Sequence, residues 1–264
     1  MNEFEGIIFP LALPQDSKNL IWISDWQVYL MVYIYWLMQT SADLPQDLSW
    51  LSNREIDLMN RFRFTKRQND WLLGRWTAKR AFAYYSADFN SLDSYKEIEV
   101  ISNLKGAPEL FLSGRSMSVS ISISHREEHS ICMLVAEATC LGADLELIES
   151  RSEQFLQDYF TLKERESVYN APEAYHKMLV CLLWSAKESA LKASQEGLRV
   201  DTRSVEVYPI DFRSISGWQQ LEVLDINRGI SLKGWWKRKE DLLITTVCSL
   251  LSSPPIDLNA KYKD

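Results

Sequence analysis

Alternation of polar and apolar residues predicts a short strand near the middle of the chain. Over residues 117–124, four serines alternate with apolar side chains, a period of two that is typical of a half-buried β-strand. A polar turn at residues 125–129 and an apolar run at residues 130–135 follow, so the two runs are predicted to form a hairpin. A third strand is predicted at residues 141–148.

Three longer stretches have helical composition. Residues 53–85 contain no proline and a single glycine, and residues 152–170 and 175–194 are two further candidates. Strand-like runs follow at residues 204–207, 221–226, 230–236 and 242–248. Because strands and helices do not alternate along the chain, the predicted class is α+β with antiparallel sheets rather than a doubly wound parallel sheet.

The most apolar stretch covers residues 28–38. It is too short to span a bilayer, and it follows neither a basic leader nor a small-residue cleavage site, so we expect no membrane association and a cytoplasmic protein. We interpret the stretch as a buried helix or strand, with an exposed docking patch as the alternative. No internal repeat is evident, and residues from 252 onward have the composition of a tail.

Composition excludes several classes of function. Of the 264 residues, 46% are hydrophobic, and the net charge is −7, which argues against disorder and against wrapping nucleic acid. The four cysteines lie far apart and encode neither a zinc site nor a disulfide framework. Sequence motifs of dinucleotide-binding proteins, P-loop enzymes, α/β-hydrolases and zincins are absent, and with three histidines, acid–base chemistry would fall to carboxylates, lysines or a metal.

A pair of acidic residues lies on the predicted third strand. Asp144 and Glu146 are two positions apart and therefore share one face. Neighbouring carboxylates repel each other, and a hard divalent cation such as Mg²⁺ is a natural counter-ion. An exposed acidic strand face is the alternative.

The last predicted helix aligns Trp184, Glu188 and Lys192 in one row. A surface ion pair between Glu188 and Lys192 is one interpretation. The apolar run before Trp184 indicates a largely buried helix, in which a carboxylate would require a counter-ion or a metal.

Basic residues are concentrated between Arg61 and Arg80, where seven of them accompany one acid, Asp70. Aromatic residues are interleaved with them, which fits an anionic ligand with several phosphates, although a solvated helix face stays open. His125, at the end of a strand, and Lys105, in a turn, could add phosphate contacts, with a structural role as the alternative for the histidine.

Taken in order, the motifs of the chain resemble those of the 4′-phosphopantetheinyl transferase superfamily, in the larger single-chain type that activates peptide and polyketide synthases. The resemblance covers residues 54–207 and is carried by RFRFTKRQNDWLLGRWTAKRAF, KGAPEL, SISHR, GADLE and WSAKESALKASQEGLRVDTRSVEV. Its most specific part is Gly-x-Asp-x-Glu followed some 40 residues later by Trp-Ser-x-Lys-Glu-x3-Lys.

The resemblance implies two similar α+β halves with a ligand cleft between them. Residues 1–140 would form the half with the basic helix and the Ser-His strand, and residues 141–264 the half with the acidic strand and the Glu–Lys helix. Coenzyme A would be the substrate and Mg²⁺ the metal, with Mn²⁺ as a substitute.

Site residues follow from the same resemblance. Asp144, Glu146 and Glu188 would bind the metal, and His125 would contact coenzyme A near its 3′-phosphate. Lys192 would meet the pyrophosphate, so Glu188 and Lys192 are the catalytic candidates. Arg75, which matches a family Gly-Arg, is a further candidate for coenzyme A binding, as is Lys105, because Ala107 stands where many relatives carry the lysine of Gly-Lys-Pro.

The implied function is Mg²⁺-dependent transfer of 4′-phosphopantetheine from coenzyme A to a serine of an acyl or peptidyl carrier protein in secondary metabolism, with release of 3′,5′-ADP. We expect a monomer. A non-catalytic module that binds coenzyme A or the carrier is the alternative, and a Mg²⁺-dependent phosphohydrolase is a second. Because carrier proteins are often acidic, a local apolar or basic patch should recognise them, and residues 26–38 are a candidate.

Overall fold

The structure is a computed structural model, and it describes residues 20–23, 27–87, 89, 91–196, 199–209, 211–213 and 216–261. The strands of the first half are β1 (Leu20–Ile23), β2 (Gln27–Val32), β3 (Ile34–Thr40), β4 (Ile98–Ser102), β5 (Pro108–Leu112), β6 (Arg115–Ser116), β7 (Ser120–Arg126) and β8 (His129–Val135). Those that follow are β9 (Leu141–Leu147), β10 (Val205–Pro209), β11 (Gln219–Asp225), β12 (Ile230–Lys239), β13 (Leu242–Cys248), β14 (Leu251–Ser252) and β15 (Ile256–Asp257). The helices are α1 (Asn53–Met59), α2 (Thr65–Ser86), α3 (Glu153–Tyr159), α4 (Leu162–Asn170), α5 (His176–Ala193) and α6 (Leu258–Lys261).

Two main sheets carry the fold. One has the strand order β15-β3-β8-β7 and packs against α2, and the other has the order β10-β11-β12-β13-β9 and packs against α5. Among the described residues, the strand pairings are antiparallel except the short ones of β14 with β2 and β15 with β3. The predicted α+β class with antiparallel sheets is therefore confirmed. A boundary at residue 140 stays a prediction.

Two of the predicted helices are interrupted. The segment predicted at residues 53–85 divides into α1 and α2, because Phe64 has an extended backbone before α2 begins. The segment predicted at 152–170 divides at Phe160, after which the Thr161 side chain caps α4. Caps and breaks of this kind depend on local hydrogen bonds more than on helical composition.

A fully buried ion pair fixes α1 to α2. The ammonium of Lys79 lies 2.5 Å from the carboxylate of Glu55. Glu55 also accepts hydrogen bonds from the backbone N–H of Ser52 and from that of Val100 in β4. One carboxylate thus ties the start of α1, the middle of α2 and a strand together.

The second half repeats this arrangement. The ammonium of Lys187 in α5 lies 2.8 Å from the carboxylate of Glu164, and both side chains are inaccessible to solvent. Glu164 accepts from the backbone N–H of Thr161 and from that of Val207 in β10. The two halves therefore share the same internal framework, as the family resemblance implied.

A short similarity in sequence accompanies the shared framework. Trp76-Thr77-Ala78-Lys79 in α2 corresponds to Trp184-Ser185-Ala186-Lys187 in α5. Three of these four positions are identical, and Thr77 corresponds to Ser185. The buried lysine of each ion pair is one of the identical positions.

Packing decides the role of the apolar segment. Five of its described side chains are buried: those of Val32, Ile34, Trp36, Leu37 and Met38. The interpretation as buried strand is confirmed for this part, and an exposed docking patch there was wrong. Side chains of residues 26–30 lie outside the described residues.

The end of the chain returns to the first half. β15 pairs with β3, and Leu258 in α6 is fully buried in the core of that half. The interpretation of residues from 252 onward as a tail was therefore wrong for 252–261, because apolar residues there complete a core. None of the helices in the described ranges combines the length and apolar character needed to cross a membrane.

A row of serines joins the two halves. β7 and β9 are edge strands of different sheets. Ser120, Ser122 and Ser124 of β7 bond respectively to Thr139, to the N–H of Ala143 and to the carboxylate of Asp144. The serine side of the predicted half-buried strand thus faces the second half of the molecule, and hydroxyl groups link the two edges.

Candidate functional site

The acidic strand β9 lies in the seam between the halves. Asp144 and Glu146 are 3% and 9% exposed, so the alternative of an exposed acidic face was wrong. Gly142 allows this arrangement, since a Cβ atom there would lie 1.8 Å from the carbonyl oxygen of Ser189 in α5. The close approach of α5 and β9 brings the two elements with the predicted catalytic residues into contact.

Lys192 bridges the seam from α5. Its ammonium lies 2.7 Å from Oδ1 of Asp144 and 3.0 Å from both the Ser124 hydroxyl and the Ala143 carbonyl oxygen. The carboxylate of Glu188 is farther from Lys192, at 3.9 Å. The predicted ion pair between Glu188 and Lys192 is therefore present, but it is partly buried, and the lysine's shortest ionic contact is with Asp144.

Glu188 has an unusual electrostatic environment. Burial raises the pKa of Glu188 to about 7; the charges of Asp144 and Glu146 contribute to the rise, and Lys192 opposes it. The three carboxylates are thus electrostatically coupled, and Glu188 holds a proton far more readily than an exposed glutamate.

Glu146 has partners that the sequence did not indicate. Its Oε1 accepts a hydrogen bond from the Trp184 indole at 3.0 Å. Its Oε2 lies 3.6 Å from Nε of Arg126 and 3.5 Å from Nη2 of Arg151. Burial and the charge of Asp144 raise the pKa of Glu146, whereas Arg126 lowers it. Arg126 ends the motif SISHR and Arg151 lies outside the motifs, and the folded seam brings both arginines to Glu146.

The carboxylates fit a divalent cation at one oxygen in particular. Oδ2 of Asp144 is buried and receives no hydrogen bond from a nitrogen or hydroxyl donor in the described part of the chain; the protonated form of Glu188 hydrogen-bonds to the Asp144 carboxylate. A bare buried carboxylate oxygen is costly unless a cation meets it, and hard cations prefer oxygen ligands. Within the described residues, no three potential ligands already stand in a ready-made metal-binding arrangement. Asp144 and the nearby Glu188 are therefore suited to a metal that also takes ligands from a substrate.

A cleft of about 380 Å³ adjoins this cluster and contains two of the predicted phosphate contacts. Arg75 is 9% exposed, donates to the Ser102 hydroxyl and stacks on Trp71. It has no acidic partner within 4 Å in the described ranges, and burial lowers the pKa of Arg75 to about 10. A buried guanidinium without a counter-ion, facing a cleft, is suited to an anion.

His125 lines the same cleft. Its Nε2 is 3.8 Å from Oδ2 of Asp70. Burial lowers the pKa of His125, whereas Asp70 raises it. The histidine is half exposed toward the cleft, where a ring N–H could donate to a phosphate oxygen.

The remaining basic residues of α2 divide into two groups. Lys79 and Arg80 have internal partners, since Lys79 pairs with Glu55 and Arg80 stacks on Tyr84. Arg67 lines the cleft with Arg75. The basic cluster therefore reflects partly the framework of the fold and partly the cleft.

Lys105 is separated from these residues. It is exposed in the turn after β4, and it lines a second groove of about 620 Å³ that Lys192 also borders. The structure thus brings Asp144, Glu146, Glu188 and Lys192 into one cluster, places Arg75 and His125 in the adjoining cleft, and leaves Lys105 at the rim of the neighbouring groove.

Ser124, Arg126, Arg151 and Trp184 are the site residues that sequence reasoning missed. Ser124 precedes His125 in the motif SISHR, and Trp184 opens the motif of α5, so motif membership was a usable signal for these two. Arg126 is the last residue of SISHR, so the same signal applied to it, whereas Arg151 lies outside the motifs.

Comparison with known proteins gives consistent matches. The family model described as the 4′-phosphopantetheinyl transferase superfamily matches residues 140–247. A holo-[acyl-carrier-protein] synthase of Streptococcus mutans is 33% identical over 33% of this chain and 72% of its own length, and one of Lactococcus lactis is 30% identical over 33% and 74%. One of Streptococcus uberis is 39% identical, over 28% of this chain and 63% of its own length.

Among solved structures, the chain is similar to a holo-(acyl-carrier-protein) synthase from Bacillus anthracis in complex with CoA (3′,5′-ADP). The match has a TM-score of 0.33 and 23% identity, and covers 40% of this chain and 96% of the other. The synthase of Thermotoga maritima matches with a TM-score of 0.32 and 18% identity over 50% of this chain and 76% of the other.

Proposed function

Because the chain belongs to the 4′-phosphopantetheinyl transferase superfamily and is a 4′-phosphopantetheinyl transferase, we propose that it transfers the 4′-phosphopantetheine of coenzyme A to a serine of an acyl or peptidyl carrier protein. The observation that carries this proposal is the cluster in the seam, where Lys192 and the carboxylates of Asp144 and Glu188 converge beside a basic cleft.

Metal binding is the first part of the proposal. Asp144 and Glu188 would hold Mg²⁺, for which Mn²⁺ would substitute, and Glu146 is the third carboxylate of the predicted set. The metal would neutralise charge on the pyrophosphate of coenzyme A. The bare Oδ2 of Asp144 supports this assignment.

Substrate binding is the second part. Arg75 and His125 line one cleft and would hold phosphate groups of coenzyme A by charge-assisted hydrogen bonds. Lys105, in the exposed turn, would supply the contact that Gly106-Ala107-Pro108 lacks. The buried Arg75 is the stronger candidate, because an anion would compensate its desolvated charge.

Transfer itself requires alignment and charge neutralisation more than covalent catalysis. The serine oxygen would bond to the β-phosphorus, the bond from that phosphorus to the bridging oxygen would break, and 3′,5′-ADP would leave. Glu188, or a water that it orients, would take the serine proton. Lys192 would stabilise the leaving group, and for this one of its three present hydrogen bonds must open.

The setting of the reaction is also part of the proposal. We propose a cytoplasmic monomer that serves secondary metabolism, because both sides of the cleft come from one chain and the four cysteines are unpaired.

An acidic carrier would meet the exposed cations Arg61, Arg63 and Lys66 near the cleft, rather than the buried strand β3.

Release of 3′,5′-ADP tests the proposal. The chain is incubated with coenzyme A and Mg²⁺, with and without an apo carrier protein, and the nucleotide is quantified by chromatography. We expect release only when the carrier is present. Release without a carrier would indicate a phosphohydrolase, and binding of coenzyme A without release would indicate a non-catalytic module.

A further inference from the structure

Ser124 occupies a central position in the seam. It lies near the end of β7, immediately before His125, and is 6% exposed. Its hydroxyl is 2.9 Å from Oδ1 of Asp144 and 3.0 Å from the ammonium of Lys192. Ser124 belongs to the first half of the chain, whereas both partners belong to the second.

The hydrogen-bond directions at Ser124 follow from the chemistry of its partners. A serine hydroxyl has one proton to donate and two lone pairs that accept. Lys192 can only donate and an ionised Asp144 can only accept, so Ser124 accepts from the ammonium and donates to the carboxylate. Both charged groups therefore contact the same hydroxyl, and their own contact of 2.7 Å closes a triangle.

This triangle uses one oxygen of Asp144. Oδ1 receives both Ser124 and Lys192, while Oδ2 receives no hydrogen bond from a nitrogen or hydroxyl donor in the described ranges. Without the hydroxyl, the carboxylate would lose a donor on Oδ1, and rotation about its terminal bond would let Lys192 share either oxygen. The Ser124 hydroxyl thus determines that Oδ2, rather than Oδ1, of Asp144 stays available to a cation.

We infer that Ser124 is a positioning residue that fixes Lys192 and Asp144 relative to each other across the seam and keeps Oδ2 of Asp144 free for a divalent cation. This inference rests on the proposed function. Ser124 acts through its two partners, so it is not assigned a contact with the reacting atoms.

The neighbouring Ser120 provides a matched control. It lies on the same side of β7, and its hydroxyl donates to the Thr139 carbonyl oxygen and accepts from the Thr139 N–H, just before β9 begins. It has no contact with a charged site residue in the described part of the chain. Ser120→Ala therefore removes a seam hydroxyl without touching the triangle.

The test compares Ser124→Ala, Ser124→Thr and Ser120→Ala with the wild-type chain. For Ser124→Ala we expect kcat to fall about 10²-fold while KM for coenzyme A stays within about threefold, as misalignment of catalytic groups predicts. Mn²⁺ binding is then titrated without substrate and monitored by the electron paramagnetic resonance signal of free Mn²⁺. The affinity of Ser124→Ala for Mn²⁺ should be about tenfold weaker than that of the wild-type chain, in the range for lost supporting contacts. Ser124→Thr keeps the hydroxyl and should restore both values, and Ser120→Ala should change neither.

Unchanged kcat and Mn²⁺ affinity in Ser124→Ala would overturn the inference, as would equal losses in Ser124→Ala and Ser120→Ala. Thermal unfolding of each variant separates misplacement from loss of fold. A wild-type chain that transfers nothing would overturn the proposed function instead, and the Mn²⁺ titration would then decide the role of Ser124 by itself.

Discussion

Lys192 lies closer to Asp144 than to Glu188, the residue one helical turn before it. The nitrogen–oxygen distances are 2.7 Å to Asp144 and 3.9 Å to Glu188. The strongest ionic contact of α5 in the site therefore crosses to β9 instead of following the helix, which leaves Glu188 with a proton affinity set by burial and neighbouring negative charge.

Removing either carboxylate of the proposed metal pair should abolish transfer. We expect Asp144→Asn and Glu188→Gln to lower the transfer rate at least about 10³-fold, because each removes charge that the transition state needs. Circular dichroism should show folded chains. The control is Glu149→Gln, which removes a nearby carboxylate that pairs with Arg126 but belongs to no proposed metal contact. Wild-type rates in Glu188→Gln would contradict the assignment.

Stability of the metal-free protein should depend on the protonation of Glu188. Burial raises the pKa of Glu188 from 4.5 to about 7, so the folded chain retains a proton that the unfolded chain releases. This stabilisation is fully present below the unfolded pKa and is lost as the pH rises through about 7. It amounts to no more than about 3 kcal/mol.

The difference between the wild-type chain and Glu188→Gln isolates this effect. Between about pH 5 and about pH 8, the wild-type unfolding temperature without metal should fall more than that of the variant. Parallel curves for the two proteins would show that Glu188 titrates normally.

Gly142 should not tolerate a side chain. A Cβ atom there would lie 1.8 Å from the Ser189 carbonyl oxygen and 2.6 Å from the Ala193 nitrogen. We expect Gly142→Ala to lower the free energy of unfolding by at least about 3 kcal/mol and to weaken catalysis by separating α5 from β9.

Gly74→Ala is the matched substitution. A Cβ atom there would lie 3.3 Å from a methyl group of Ile123, and alanine favours the helix by about 1 kcal/mol. Urea titration should place this variant within about 1 kcal/mol of the wild-type chain. Equal stability of the two alanine variants would refute the close approach at Gly142.

The buried lysine of the second half should be essential for stability. Lys187→Met leaves the carboxylate of Glu164 buried without its partner, and we expect a loss of about 3–5 kcal/mol. Lys163→Met is the comparison, since Lys163 pairs with Glu206 but is 72% exposed, and its loss should be about 1 kcal/mol or less. Similar unfolding midpoints for both variants would argue against the ionic framework.

The sequence was sufficient for features that depend on local periodicity. The spacing of Asp144 and Glu146 correctly predicted a shared strand face, and the apolar run before Trp184 correctly indicated a buried helix. Both patterns report the geometry of a single element, which needs no knowledge of its neighbours.

Features that depend on packing between elements were missed. The partners Glu55 and Lys79 are 24 residues apart, and Ser124 and Lys192 are 68 apart, so no short-range pattern joins them. The alternating serines of β7 also fit a strand side that faces solvent. Composition alone cannot tell whether polar side chains face water or the polar edge of a second sheet.

The intact mass of carrier proteins after reaction measures phosphopantetheine transfer most directly. A panel of apo acyl and peptidyl carrier domains is incubated with the chain, coenzyme A and Mg²⁺, and each product is mapped by tandem mass spectrometry. The account predicts that at least one carrier gains one phosphopantetheine on its serine, and that the gain disappears without Mg²⁺ or with a Ser→Ala carrier. Unmodified carriers throughout the panel, in a preparation that binds coenzyme A, would contradict it.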